Sequence, residues 1–205
     1  MAYLVLGDSF VKRLCQCGRP LVVGGQEVQI VGFPGANLGR IRREIRRLVT
    51  WRSHSIVVLQ TGSNDLCNSA RTPELVADGI VSLATSLVCD CGIDKIVVCQ
   101  ITHRCHRRSE SHLSGLTIGM YNAAVYRANA LLKERCAGRI RYWEHHRNVR
   151  SFAHLSNDGS SALKCTGDQG LPAKHYWGSL QCPLRSLHEK NRPFSGPQKQ
   201  KKSKN

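Results

Sequence analysis

The sequence lacks any long apolar run. No segment approaches the roughly 18 consecutive apolar residues that a membrane-spanning helix needs. The first apolar run, residues 2–6, ends at Gly7-Asp8 and is too short for the core of a signal peptide. We therefore expect a soluble, non-secreted, cytoplasmic chain with no membrane partner.

Acidic and aromatic residues are also scarce. The 205 residues include 14 Asp and Glu against 30 Lys and Arg, which gives a net charge of +16. Such an excess of positive charge favours a polyanionic partner. Aromatic residues make up only 6% of the chain, which leaves few rings for base stacking once a core is filled. This argues against a dedicated binder of single-stranded nucleic acid.

Ten cysteines are present, and without a signal segment we expect them to be reduced thiols rather than disulfides. Cys89, Cys91, Cys99 and Cys136 fall within or beside predicted helices and strands, where they read as small core residues. The pairs at 15/17 and 89/91 are separated by one residue instead of the two or more typical of zinc sites. We therefore expect no metal and no cofactor.

Short apolar segments alternate with longer amphipathic ones, a pattern typical of an α/β fold with a mostly parallel sheet. Strands are predicted at 3–6, 27–31, 55–60, 95–101 and 139–143. Residues 56–59 and 96–99 are apolar throughout, as central strands buried on both faces require.

The segments between these strands predict helices. The first begins near Leu38 with arginines on its polar face, the second begins at Thr72-Pro73 and ends near Gly92, and the third is closed by Gly138. A fourth helix is predicted within 170–187. Residues 189–205 have no large apolar residue after Phe194, so we predict a folded domain at 1–188 followed by a disordered basic tail at 189–205.

Gly7-Asp8-Ser9 directly follows the first predicted strand. A serine at this place is presented to the crevice where open α/β sheets bind ligands, and the start of a helix favours negative charge on its oxygen. A simpler interpretation is that Asp8 or Ser9 only caps the helix.

Two glycine-containing turns follow other strands. Asn64, in Gly62-Ser63-Asn64-Asp65, carries an amide that can donate to an oxyanion, and the backbone N–H at Gly35 can do the same. Taken singly, each segment is also explained by ordinary turn chemistry.

Together and in this order, the segments resemble the SGNH hydrolase superfamily, also called GDSL-type esterases. The resemblance covers about residues 3–188 and is closest to divergent SGNH-like domains of animal proteins, some of them associated with retrotransposons; residues 59–66 and 97–101 are typical of that group. It implies a flavodoxin-like three-layer α/β/α fold around a five-stranded sheet, and metal-free hydrolysis of small acyl esters. Ser9 would be the nucleophile, and Ser9 N–H, Gly35 and Asn64 would form the oxyanion hole.

The last block of the family pattern, Asp-x-x-His, is missing. Asp158 is the matching aspartate, but the residue three positions later is Ser161. His154 and His175 are the alternatives for a base. Residues 160–168 read as an altered or lengthened segment, or as the product of a wrongly joined exon. Loss of the base histidine would cost several orders of magnitude in kcat.

Three interpretations therefore stay open. The first is an esterase with Ser9 and Asp158 as catalytic residues, impaired by the missing histidine. The second is an inactive SGNH-like domain that binds polyanions or nucleic acid weakly and non-specifically. That binding would use Arg40, Arg43 and Arg47 with the tail lysines Lys199, Lys201, Lys202 and Lys204, a tail that would also permit nuclear entry. The third is a structural or interaction domain.

The segment 103–108 adds histidine, cysteine and arginine just beyond a predicted strand. In the SGNH-like fold it falls in a loop over the crevice. Its charges would then either contact an anionic substrate or be solvated.

Overall fold

A parallel five-stranded sheet organises the computed structural model, which describes residues 2–16, 20–51, 54–104, 113, 115–145 and 184. The strands are β1 (Tyr3–Gly7), β4 (Gln29–Gly32), β5 (Ile56–Gln60), β6 (Lys95–Cys99) and β7 (Ile140–Trp143). Their order in the sheet is β4-β1-β5-β6-β7, and every neighbouring pair is parallel. The five predicted strands are thus found, with shifted ends.

Four helices connect these strands in the described part of the chain: α1 (Ser9–Gln16), α2 (Leu38–Trp51), α3 (Pro73–Cys89) and α4 (Ile118–Arg135). The helix α3 begins as its Thr-Pro sequence predicts, with the Thr72 hydroxyl accepting from the Leu75 N–H at 3.3 Å. The Thr117 hydroxyl caps α4 in the same way at 3.2 Å.

Two apolar layers hold the helices on the sheet. One face of the sheet packs against α2, α3 and α4, through residues such as Ile45 and Ile80. The other face packs against α1, through Phe10 and Val11, and against Leu184. The alternation of side chains along each strand supplies both layers, because successive residues point to opposite faces. The predicted three-layer α/β/α fold with helices on both sides of the sheet is therefore confirmed.

The predicted strand at 27–31 is wrong at its start. Glu27 belongs to a separate two-stranded hairpin of β2 (Val22–Val23) and β3 (Gln26–Glu27), and β4 begins only at Gln29. Gly24 and Gly25 form the turn with φ of 59° and 78°. Two successive residues with positive φ are what a tight hairpin turn requires, and Gly-Gly provides them at little steric cost.

The cysteines do not all behave as core residues. Cys99 is buried as predicted and Cys91 and Cys136 are half-buried, but Cys89 is exposed, so its assignment to the core is wrong. Cys89 is the last residue of α3 and lies off the buried stripe of that helix.

Leu184 is the one described residue of the helix predicted within 170–187, and it is helical and buried. The rest of that prediction, the segment 160–168 and the tail 189–205 lie outside the described residues. In the described ranges, no helix has the length and apolar character needed to cross a bilayer. Within the same ranges, no cluster of three or more His, Cys, Asp or Glu side chains is arranged to hold a metal ion.

Candidate active site

Ser9 lies where the sequence predicts it, at the carboxyl end of β1. It is the first residue of α1 and is half-buried. The buried Asp8 carboxylate accepts the Phe10 N–H at 2.9 Å and so caps the helix. Because Asp8 performs the capping, the Ser9 hydroxyl is left at the positive end of the helix dipole, where negative charge on its oxygen is favoured.

Gly7 allows this turn to lie close against the sheet. A Cβ atom at Gly7 would come within 2.4 Å of both the Gln60 carbonyl oxygen and Val11 Cγ2. The Asp8 N–H donates to the same Gln60 carbonyl at 3.3 Å. Gly7 is therefore needed for close packing against β5, and this packing fixes the place of Ser9 relative to that strand.

Asn64 lies in the loop after β5 and reaches the loop after β4. Its Nδ2 donates to the Ala36 carbonyl at 2.9 Å. The neighbouring Asp65 carboxylate accepts the Leu38 N–H at 2.9 Å and 3.2 Å, at the start of α2. Two adjacent side chains thus tie the loop that contains Gly35 to the loop that contains Asn64.

The electrostatics of Asp65 follow from this position. Burial raises the pKa of Asp65, and the Leu38 N–H and the positive charge of Arg71 partly offset that effect. Gly35 is exposed and has φ of 65°, in the left-handed region that glycine adopts readily. A Cβ atom at Gly35 would meet no atom within 4 Å, so this part of the loop is open to solvent.

The structure therefore brings Ser9, Gly35 and Asn64 to the carboxyl ends of three adjacent strands. They follow β1, β4 and β5, and β1 lies between the other two. Neighbouring strands are about 4.8 Å apart, so groups from the flanking loops can reach a substrate oxygen beside Ser9. Their roles as nucleophile and oxyanion donors stay predictions.

A second polar group lies on the β6 side of this edge. The Ser63 and Tyr121 hydroxyls are 2.9 Å apart, and Tyr121 donates to the Thr102 carbonyl at 3.4 Å. Arg104 Cζ stacks 4.7 Å from the centroid of the Tyr121 ring. Burial raises the pKa of Tyr121 to about 12, and Arg104 opposes this effect.

A third polar group was not identified from the sequence. His145, two residues beyond β7, is only 2% exposed. Its Nε2 is 3.0 Å from Gln60 Oε1 and its backbone N–H donates to Gln100 Oε1 at 3.1 Å. Gln60 Nε2 donates to the Gln100 carbonyl at 3.2 Å, which closes the network. Burial lowers the pKa of His145 to about 4.

One signal in the sequence pointed to this network. Gln60, Gln100 and His145 are polar residues that end or follow three strands which are otherwise apolar or mixed. Strand ends of a parallel sheet meet at one edge, so polar residues there can interact.

The acid and base of the predicted mechanism are not placed. Asp158, His154 and His175 lie outside the described residues. Within the described part of the chain, no hydrogen bond joins a histidine to Ser9; His54 bonds to Gln29 and His145 to Gln60.

No protein-family model matches the sequence, and a sequence search among curated proteins finds no match. Solved structures do match over most of the chain. The catalytic domain of a peptidoglycan O-acetyltransferase from Streptococcus pneumoniae matches at 14% identity and a TM-score of 0.63, over 92% of this chain and 94% of that one. A GDSL-like lipase from Bacteroides thetaiotaomicron matches at 14% identity and 0.62, over 91% and 88%.

A carbohydrate esterase of family 3 from Talaromyces cellulolyticus also matches, at 14% identity and a TM-score of 0.61, over 93% of this chain and 99% of that one. Identities this low carry information on the fold alone. Together with the sheet order and the helices on both its faces, they establish that this chain has the fold of the SGNH hydrolase superfamily.

Proposed function

We propose that the protein is a serine hydrolase that cleaves small acyl esters, with Ser9 as nucleophile. The observation that carries the proposal is that Asp8, and not Ser9, caps the start of α1. Asp8 caps the helix, and the half-buried Ser9 stands beside it at the carboxyl edge of the sheet. An alkoxide forming at Ser9 would be stabilised by the helix dipole.

The oxyanion would be held by three donors. The Ser9 and Gly35 backbone N–H groups and the Asn64 amide would donate from the loops that follow three adjacent strands, β1, β4 and β5. One Nδ2 hydrogen of Asn64 is used by the Ala36 carbonyl at 2.9 Å, which fixes the orientation of the amide. The second Nδ2 hydrogen can be donated to the substrate oxygen. Such preorganised donors stabilise the charge that develops in the transition state.

The reaction would proceed in two steps. Ser9 Oγ attacks the ester carbonyl, its proton passes to the general base, and the alcohol leaves with a proton to give an acyl-enzyme. Water then attacks the acyl carbonyl and releases the acid and free Ser9. We propose Asp158 as the carboxylate partner, with His154 and His175 as the alternatives for the base.

Turnover of p-nitrophenyl acetate tests the proposal. The wild-type protein should hydrolyse the ester and Ser9→Ala should lose at least about a hundredfold in kcat, because it has no nucleophile. Ser82→Ala, which removes an exposed serine hydroxyl on α3, is the matched control and should keep wild-type turnover. Equal rates for wild type and Ser9→Ala, or no turnover by either, would contradict the proposal.

The charge on α2 supports a second candidate, an inactive domain that binds polyanions. Arg40, Arg43 and Arg47 are exposed on α2, where Glu44 is the single acid. Glu44 lies 3.9 Å from Arg47 within the helix, so this surface keeps an excess of positive charge. The arginine surface would attract phosphates without reading sequence, together with the tail lysines.

Binding of a fluorescent single-stranded oligonucleotide over a salt series tests this candidate. The combined change of the three arginines to glutamine, and separately the deletion of residues 189–205, should each weaken binding and flatten its salt dependence. Affinity that does not depend on salt, or that survives both changes, would rule the candidate out.

A further inference from the structure

The most informative feature that the proposed mechanism leaves unused is Arg104. It lies five residues beyond β6, on the side of the crevice opposite Gly35. Its side chain is half-buried, so a guanidinium that is always charged is held partly out of water. Holding a charged guanidinium partly out of water costs free energy unless an opposite charge or hydrogen bonds compensate for it.

Arg104 is held rigidly. Its backbone N–H donates to Asn122 Oδ1 at 2.9 Å, and its carbonyl accepts from Asn122 Nδ2 at 2.8 Å. The guanidinium stacks on the ring of Tyr121, which is itself fixed by Ser63 and Thr102. Both ends of the residue are therefore positioned before any ligand arrives, which reduces the entropy cost of binding.

No described carboxylate balances this charge. Within the described residues, the salt bridges with N to O distances up to 4.0 Å involve other cations, namely Arg47, Arg127, Lys133 and Arg135. Asp8 and Asp65, the acids that follow β1 and β5 at this edge of the sheet, accept hydrogen bonds from other donors. Asp8 Oδ1 accepts from Phe10 N–H, and both Asp65 oxygens accept from Leu38 N–H.

Arg104 also belongs to the same edge as Ser9. Burial is the main cause of the raised pKa of Cys67, and Arg104 lowers it while Asp8 raises it further. Arg104 also lowers the pKa of Tyr121, and Asp8 raises it. Asp8 immediately precedes Ser9, so the guanidinium lies across a small polar cluster from the nucleophile, about two strand spacings, or roughly 10 Å, away.

We infer that Arg104 is a specificity-determining residue that binds an anionic group of the substrate, so that the preferred esters of this protein carry a negative charge a few bonds from the scissile carbonyl. The guanidinium suits a carboxylate or a phosphate because its planar donors match two oxygens at once. This inference rests on the proposed function, since it names the substrate class of the Ser9 site.

Paired esters test the inference. One pair carries charge on the acyl group, mono-p-nitrophenyl glutarate against p-nitrophenyl pentanoate. The other carries it on the alcohol, acetoxybenzoate against its methyl ester. In at least one pair the wild type should prefer the anion, and Arg104→Gln should lower kcat/KM for that anion about 10- to 100-fold, the range of a lost charge-assisted hydrogen bond. The neutral ester should change less than threefold.

Two further variants separate recognition from folding. Arg104→Lys keeps the charge and should retain part of the preference, whereas Arg127→Gln removes an exposed arginine on α4 and should change neither ester. Thermal unfolding checks that Arg104→Gln remains folded. A wild type without preference for either anion, or equal losses on charged and neutral esters in Arg104→Gln, would overturn the inference.

Failure of the proposed function is distinguishable from failure of this inference. If the wild type hydrolyses no ester, calorimetric titration of glutarate decides the matter. Affinity that falls at least about tenfold in Arg104→Gln supports an anion site without esterase activity. No binding to the wild type, or equal binding to both proteins, overturns it.

Discussion

Acid should destabilise the protein through His145. The side chain is 2% exposed, and its Nε2 is engaged with Gln60 Oε1 at 3.0 Å. Burial disfavours the imidazolium, so the pKa of His145 falls from 6.5 to about 4 in the folded state. The unfolded chain therefore takes up a proton at a higher pH than the folded protein does.

The size of the effect follows from the two pKa values. The folded state's advantage is fully present above pH 6.5 and is lost as the pH falls toward 4, because only the unfolded histidine is protonated in that window. Between pH 7 and pH 5 the loss from this group alone is about 2 kcal/mol. Across the whole window it approaches about 3 kcal/mol.

Urea unfolding at pH 7 and pH 5 measures this loss, with His145→Gln as the comparison. Glutamine keeps an N–H donor toward Gln60 but has no titrating group. The free energy of unfolding should fall by about 2 kcal/mol more in the wild type than in His145→Gln over this interval. Equal falls in the two proteins would refute the reasoning, because they would show that His145 does not titrate differently on folding.

Substitutions at three positions, Asn64, Asp65 and Gly62, test the loops around the site. Asn64→Ala should lower kcat for p-nitrophenyl acetate about 100- to 1000-fold with little change in KM, and an unchanged kcat would remove Asn64 from the oxyanion hole. Asp65→Ala should cost about 2 kcal/mol in urea unfolding because the Leu38 N–H loses its acceptor, whereas Asp65→Asn, which keeps an acceptor, should cost less; equal costs would contradict this explanation. Gly62→Ala should lower the free energy of unfolding by about 3 kcal/mol, since φ is 102° and a Cβ would lie 2.8 Å from Ile101 Cδ1. The control Gly138→Ala, with φ of 63° and open space around the Cβ, should lower it by about 1 kcal/mol. Similar losses in the two variants would refute the packing argument.

The sheet could be predicted from the sequence because its central strands carry an unambiguous signal. Residues 56–59 and 96–99 are apolar without interruption, and they form β5 and β6, buried on both faces. The start of β4 could not be predicted in the same way. Glu27 adjoins Val28 in the sequence, but the Gly24-Gly25 turn draws it into a hairpin with Val22, which is decided by turn conformation rather than by hydrophobic pattern.

The positions of Ser9, Gly35 and Asn64 could be predicted because each directly follows a strand of one parallel sheet. The hydrogen bonds that join their loops could not be predicted. The bond from Asn64 to the Ala36 carbonyl spans 28 residues, and the bond from Asp65 to the Leu38 N–H spans 27. Both depend on the spatial order β4-β1-β5, which differs from the order of the strands along the chain.

His145 and Arg104 required the structure for the same reason. His145 meets Gln60 across 85 residues, and Arg104 reaches the ring of Tyr121 on α4. A histidine after a strand and an arginine in a basic segment have ordinary surface explanations in a sequence. Only burial and the identity of their partners give them specific roles.

Mass spectrometry of the protein after reaction with phenylmethylsulfonyl fluoride tests the central claim, that Ser9 is an activated nucleophile, most directly. A serine without activation does not react at a measurable rate, so labelling reports the environment of the hydroxyl. We predict a single sulfonyl group on the peptide that contains Ser9, and no labelling of Ser9→Ala. An unlabelled wild type, or a label on another residue that persists in Ser9→Ala, would contradict the account.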